Sequence, residues 1–276
     1  MIGFFDSGFG GLTVMKEYLK KYPKFDYLYL GDQANAPYGP HGKERVEELT
    51  LKHVDFLVKQ GCELIIVACN TASADALRAA QQKYKGKPVI LGVIVPAVEE
   101  ALKNSRFGNI GVIGTRGVIK SGAYERELSK YGVLYVPDDK RARKEVKVYP
   151  QACPLLVPMI EEGLTDHPAT RMILRNYLRP LKNANIDTLI LGCTHYPLLQ
   201  KEIGRMMGKN CLVISSAKAA ADAISSYFEA HPALLKKLSK GGKRHYLTTD
   251  CSERFARIGG RFLGEKIKVE KIEIKS

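Results

Sequence analysis

Tryptophan is absent from the 276 residues, and so is any apolar run long enough to cross a membrane. The longest such run, the ten residues Val89 to Val98, is interrupted by Gly92 and Pro96, whereas a spanning helix needs roughly 20 apolar residues. No basic segment followed by an apolar stretch and a cleavage site opens the chain, so a cytoplasmic protein is expected. None of the six cysteines belongs to a CxxC pair. With no sign of secretion and ample length for a core, no disulfide or zinc framework is expected, and reduced thiols are the default. A GxGxxG dinucleotide fingerprint is missing too. No metal is expected.

A net charge of +14 raises the question of nucleic acid. The basic residues are scattered, with modest clusters at Lys140-Arg141-Ala142-Arg143-Lys144 and Lys236 to Lys243, and no recognisable nucleic-acid module accompanies them. A solvated basic surface is the simpler reading.

Two stretches organise the rest: Leu64-Ile65-Ile66-Val67-Ala68-Cys69-Asn70-Thr71 and Thr188-Leu189-Ile190-Leu191-Gly192-Cys193-Thr194-His195. Each is a short apolar run ending in a small residue, a cysteine and hydrogen-bonding side chains. Uninterrupted runs of Ile, Leu and Val read as strands buried on both faces of a parallel sheet. The polar residues then fall at the strands' carboxyl ends, where open α/β sheets bind ligands. A third run, Asn109 to Thr115, echoes Ile2 to Ser7 at an offset of 108 residues, near the 124 that separate the cysteines. The repeat predicts two similar parallel-sheet α/β domains with an active site in the cleft between them. The first is expected over 1–96 plus 208–276 and carries Cys69; the second, over 97–207, carries Cys193.

Along the chain, Ile2 to Phe5 predicts a strand that leads through the turn Asp6-Ser7-Gly8-Phe9-Gly10-Gly11 into a helix bearing Leu12, Met15 and Leu19. Tyr27 to Leu30 predicts a second strand, and Ala36-Pro37-Tyr38-Gly39-Pro40 a loop. The helix expected over 43–59 carries His53 on its apolar stripe, as a packed histidine at the core's edge. A helix over 73–84 and a strand over 88–95 follow, with Pro96 ending the strand and marking the first domain crossing. Helices are expected at 121–131, 154–163 and 168–182, and 197–207 is expected to return the chain to the first domain. A strand at 211–214, a helix at 217–229, a strand at 244–248, a helix at 252–263 and an edge strand at 267–269 complete the reading.

Cysteine at a strand end commonly packs as a small hydrophobe, which suits Cys62 and Cys211. No partner is evident for Cys153 or Cys251. Cys69 and Cys193 differ because Asn-Thr or Thr-His follows each, able to bind a carboxylate and an amine or to stabilise a thiolate. Two thiols on opposite sides of one carbon suit stereoinversion, one removing a proton while the other delivers one to the opposite face. The weak acidity of an amino acid's α-proton then requires donors around the carboxylate that stabilise a carbanion-like transition state.

Several motifs occur in the order and spacing of one family. They are Phe4-Phe5-Asp6-Ser7-Gly8-Phe9-Gly10-Gly11-Leu12-Thr13-Val14, Gly31-Asp32 with Pro37-Tyr38-Gly39, Ala68 to Ser73, Ile119 to Tyr124, Ala152 to Leu155 leading to Glu161-Glu162-Gly163, and Gly192 to Leu199. Over nearly its whole length the chain resembles the glutamate racemases. The resemblance implies a cofactor-independent enzyme, commonly a homodimer, that interconverts L- and D-glutamate and supplies the D-form for bacterial peptidoglycan. It implies that Cys69 takes the proton from the D-enantiomer and Cys193 from the L-enantiomer. It places Asp6 beside the first thiol, and His195 and Glu162 (the favoured member of the Glu161-Glu162 pair) beside the second. Asp6, Ser7, Tyr38, Gly39, Asn70, Thr71, Thr194 and His195 would hold the substrate's polar groups. One departure occurs at Ile214-Ser215-Ser216-Ala217, where the family often has an acidic residue before Ser-Ala.

Other readings stay open at this stage. A sister enzyme acting on aspartate would differ in substrate turnover, and a single-thiol decarboxylase is disfavoured by the second cysteine. A pyridoxal phosphate enzyme would show a visible absorbance band, although no lysine context marks a Schiff base. A non-catalytic nucleic-acid-binding module would show salt-sensitive binding that survives loss of both cysteines.

Overall fold

The computed structural model describes residues 1–136 and 139–274, with the side chains of 133–136 and 139–144 outside that description. The basic cluster at 140–144 thus lies outside the described side chains, while Lys236, Lys237, Lys240 and Lys243 are exposed. In chain order the strands are β1 (Ile2–Asp6), β2 (Tyr27–Gly31), β3 (Leu64–Val67), β4 (Val89–Gly92), β5 (Asn109–Gly114), β6 (Val133–Val136), β7 (Asp139–Glu145), β8 (Lys147–Ala152), β9 (Thr188–Gly192), β10 (Leu212–Ser215), β11 (Arg244–Thr248) and β12 (Val269–Lys271). They form a parallel six-stranded sheet, β12-β11-β2-β1-β3-β4, and a parallel four-stranded sheet, β10-β9-β5-β8. A two-stranded antiparallel ribbon, β6-β7, stands apart.

The chain is α/β with two parallel sheets, as its apolar runs predict. β1, β2, β3 and β9 are buried along their whole length, because helices cover both faces of a parallel sheet. The internal echo has a structural counterpart. β1 and β5 each lie inside their sheet, and β3 and β9, the strands that lead to the cysteines, pair directly beside them.

The routes between the sheets differ from expectation. The strand ends at Gly92, before Pro96, and a helix spans Ile94–Asn104. Pro96 sits in its first turn, where the missing N–H costs nothing. This helix buries Ile94, Ala97, Val98 and Ala101 with Ile110, Val112 and Ile190 of the second sheet, so the crossing falls at the end of β4. Residues 197–207 do not return the chain: the helix Gln200–Met207 packs on the helix Pro168–Asn183 and on β10. β10 itself pairs with β9, which puts the strand expected at 211–214 in the second sheet, with the crossing beyond Ser215 and not before 208. The helix Ser216–Ala230 makes the return, packing against both Leu12–Lys21 and Ile94–Asn104. Ser215 caps it by accepting from Lys218 N at 3.4 Å, doing without the family's acidic residue.

The segment expected as a single helix at 73–84 is broken into Asn70–Asp75 with Leu77–Tyr84, while the helix expected at 121–131 spans Ala123–Ser129 and is preceded by a separate helix, Arg116–Ser121. Gly122, at φ +61°, separates these last two helices, since glycine enters the left-handed region without a Cβ penalty.

Ile66 in β3 is fully buried in the core beneath the first cysteine. Ile66→Ala should lower the unfolding free energy by about 2–5 kcal/mol, the usual cost of such truncations, read as a drop in the urea midpoint at unchanged m-value.

Candidate active site

The carboxyl ends of the strands from both sheets converge on one narrow cavity of about 40 Å³. Its walls include Ser7, Tyr38, Gly39, Cys69, Asn70 and Thr71 from the first half, and Thr115, Glu161, Cys193, Thr194 and His195 from the second. The two predicted thiols thus open onto the same space. A wider cleft of about 1360 Å³ between the halves, flanked by Lys43, Asp75, Arg78 and Lys120, holds neither.

The surrounding turns are held without room to spare. A Cβ on Gly10 would lie 2.2 Å from Thr194 Oγ1 and 2.6 Å from His195 Nδ1, so only glycine lets the first turn reach the second strand end. Thr13 Oγ1 donates to Thr194 O at 2.7 Å and ties the same two turns together. On the other side, a Cβ on Gly39 would come within 2.9 Å of Thr115 Cβ. Thr71 Oγ1 and Thr115 Oγ1 lie 3.2 Å apart.

Around Cys69, Asp6 is fully buried; its Oδ2 accepts from Gly8 N at 3.0 Å, while its Oδ1 has no partner. Burial pushes the Asp6 carboxyl above its usual range, opposed by His195 and by the N–H groups of Gly11 and Gly8. Cys69 Sγ donates to Ser7 Oγ at 3.6 Å. Burial first, then the Asp6 charge, push this thiol up to about 12, so it rests as a neutral acid.

Around Cys193 the surroundings are cationic. Cys193 Sγ lies 3.9 Å from His195 Nδ1, and His195 Nε2 lies 3.0 Å from Glu161 Oε1. Burial disfavours charge on the imidazole, but its hydrogen bonds to Cys193 and Glu161 outweigh this and push it up to about 10.

The expected acid of the second side, Glu162, is not in the site. Its side chain is 70% exposed and faces Arg254 at 3.8 Å, whereas Glu161 faces inward to His195. Both end the helix Leu156–Glu161, and successive residues there point about 100° apart, so one pocket receives only one of them. Glu161 is anchored from the first half, its carbonyl accepting from Arg261 Nη2 at 3.0 Å and its Oε2 lying 3.9 Å from Arg254.

The remaining expected residues line the cavity, except Asp6, which is fully buried and not part of its wall. Thr115 was not singled out from sequence, and Glu161 only as the less favoured member of its pair with Glu162. Thr115 directly follows β5, and the strand-end rule that marked the cysteines, applied to the echo strand, would have found it. Of the other cysteines, Cys62, Cys153 and Cys211 are buried and Cys251 is exposed. Among the described residues no group of three His, Cys, Asp or Glu side chains is arranged to hold a metal ion.

Beneath the Tyr38 loop lies a buried polar cluster. Asp32 accepts from Tyr38 Oη at 2.6 Å, from Asn35 Nδ2 at 3.0 Å and from Thr249 Oγ1 at 2.8 Å, and His53 Nε2 stands 3.3 Å away. His53 also stacks on Phe5, a packed histidine as expected but deeper than the core's edge.

This arrangement defines a class: a two-sheet α/β protein with paired thiols at facing strand ends. Residues 12–224 match the profile of the family described as Asp/Glu/Hydantoin racemase. The glutamate racemase of Geobacter metallireducens is 44% identical over 266 residues, covering 96% of this chain and 93% of its own. The crystal structure of a glutamate racemase isoform from Bacillus anthracis superposes with a TM-score of 0.87 at 36% identity, covering 99% of this chain and 97% of that one. That of Francisella tularensis glutamate racemase in complex with D-glutamate gives 0.85 at 30% identity over 99% of this chain and 97% of its own. Within the Asp/Glu/hydantoin racemases, the chain belongs to the glutamate racemase family.

The Asp32 carboxyl carries a pH dependence. Burial would raise it, but His53, Tyr38 and Asn35 prevail and hold it at about 2, against an ordinary 3.8. A depressed acid stabilises the fold above its unfolded-state pKa and loses that contribution as pH falls through the folded value. Wild-type unfolding free energy should therefore fall between about pH 4 and about pH 2. Asp32→Asn should be less stable at neutral pH and flatter across that window, as read by denaturant melts at each pH.

Proposed function

We propose that this enzyme racemises glutamate with its own two thiols and no cofactor, and that D-glutamate so formed supplies peptidoglycan. The observation that carries the mechanism is two cysteines opening onto one cavity from facing strand ends, Cys69 held neutral by burial and the Asp6 charge, and Cys193 Sγ 3.9 Å from His195 Nδ1.

In the direction from L to D, the Cys193 thiolate takes the α-proton while the Cys69 thiol delivers its own to the opposite face. The Cα–H electron pair is taken up transiently at the carboxylate, where hydrogen-bond donors must hold it. Asn70, Thr71 and Thr194 stand ready on the cavity wall, and Asp6 Oδ1, buried without a partner, suits the ammonium. The step leaves Cys69 as thiolate and Cys193 as thiol, which is the pair that D-glutamate needs for the reverse reaction. Proton exchange with water restores the first form. Glu161 acts through His195, holding the imidazole in place and balancing its charge. Following the resemblance, we extend the proposal to a homodimer working in the cytoplasm.

Chiral chromatography of L-glutamate incubated without cofactor tests the reaction. Wild type should convert it, and Cys69→Ala and Cys193→Ala should each lose about a thousandfold or more, since each removes an obligatory acid or base. Substantial activity in either variant would break the two-thiol assignment. A visible absorbance band in active wild type would overturn the cofactor-free claim.

The two neighbouring glutamates separate cleanly. Glu161→Gln should lower kcat about tenfold or more through a weakened imidazolium, while the exposed Glu162→Gln should turn over at the wild-type rate.

A further inference from the structure

Tyr124 belongs to the Ile119 to Tyr124 motif, to which the proposed chemistry assigns no part. It is 2% exposed, turned inward at the start of the helix Ala123–Ser129 by the left-handed Gly122, with Ser121 Oγ accepting from Ala123 N at 3.2 Å. The side chain touches both strand ends that carry the thiols. Its hydroxyl donates to Asn70 Oδ1 at 2.7 Å, next to Cys69. Its ring packs on Gly192, where a Cβ would lie 3.0 Å from Tyr124 Cε2, next to Cys193.

The hydrogen bond has a chemical consequence. A carboxamide has an acceptor end and a donor end, and without a fixed partner it can turn either way. Burial and the nearby Cys193 keep the phenol protonated, so it engages the acceptor end of Asn70. The donor end, Nδ2, is left buried and without a partner on a residue that lines the cavity.

We propose that Tyr124 is a positioning residue that fixes the Asn70 carboxamide with its NH₂ toward the substrate, making that wall select a carboxylate oxygen over an ammonium. This rests on the reading of the cavity as the amino-acid site. Without the phenol, the carboxamide spends part of its time with an oxygen facing the substrate carboxylate, and binding weakens.

The test is steady-state kinetics on glutamate for wild type, Tyr124→Phe, Asn70→Ala and the double variant. Wild-type turnover checks the underlying reading; the comparison among variants checks this one. Phenylalanine keeps the packing on Gly192 and removes only the hydroxyl. Tyr124→Phe should raise KM about tenfold with kcat within about threefold, and should add nothing to the KM of Asn70→Ala. A KM unchanged by Tyr124→Phe, or effects of the two substitutions that multiply, would overturn the proposal. If Tyr124→Phe does not fold, Asn70→Asp makes the same test with the tyrosine intact. A carboxylate there presents oxygen to the cavity, so its KM should exceed that of Asn70→Ala by about tenfold. A KM at or below the alanine value would overturn the proposal as surely.

Discussion

The two halves meet backbone to side chain at Gly10, and the active site depends on that contact. With no Cβ in the way, the first glycine turn lies directly against Thr194 and His195. Every group in the cavity comes from one half or the other, so this separation sets the distance between acid and base. The Thr13–Thr194 hydrogen bond fixes the same contact from the helix side, and Gly39 against Thr115 repeats the device across the opening. Close packing of this sort resists deformation, because removing or adding even one methyl group is felt in a dense interior. The reacting groups are thereby held in place before substrate arrives.

Burial then gives the site its chemistry. Asp6, His195, Cys69 and Cys193 are all buried. In such surroundings a charge interacts strongly with its neighbours and is costly without one. On the second side, Glu161 and Cys193 support an imidazolium; on the first, Asp6 stands against charge on Cys69. Arg254 and Arg261 reach Glu161 from the helix Ser252–Leu263, packed in the first half. The second thiol's surroundings therefore draw on residues far apart in sequence.

Much of this was legible in the sequence wherever the signal was local. The apolar runs of β1, β3, β5 and β9, and the polar residues at their ends, follow from burial on both faces and the strand-end rule. The helix Ile94–Asn104 escaped notice because Pro96, a strand terminator in one context, is equally at home in a helix's first turn. The strand β10 escaped its sheet because nothing in Leu212–Ser215 says which apolar edge it will pair with. Glu161 and Glu162 are chemically identical neighbours, and only the angle at which a short helix ends tells them apart. Tyr124 needed contacts to Asn70 and Gly192, at sequence separations that no local pattern reports.

The two thiols have unlike neighbours, a carboxylate on one side and an imidazole on the other, yet their substrates are mirror images of equal free energy in water. The equilibrium constant between them is unity, so detailed balance obliges kcat/KM to be the same in both directions. The asymmetry of the walls can therefore never make this catalyst favour one enantiomer at equilibrium. It can only divide the common value differently, one mirror image held tightly and turned over slowly, the other held loosely and turned over fast.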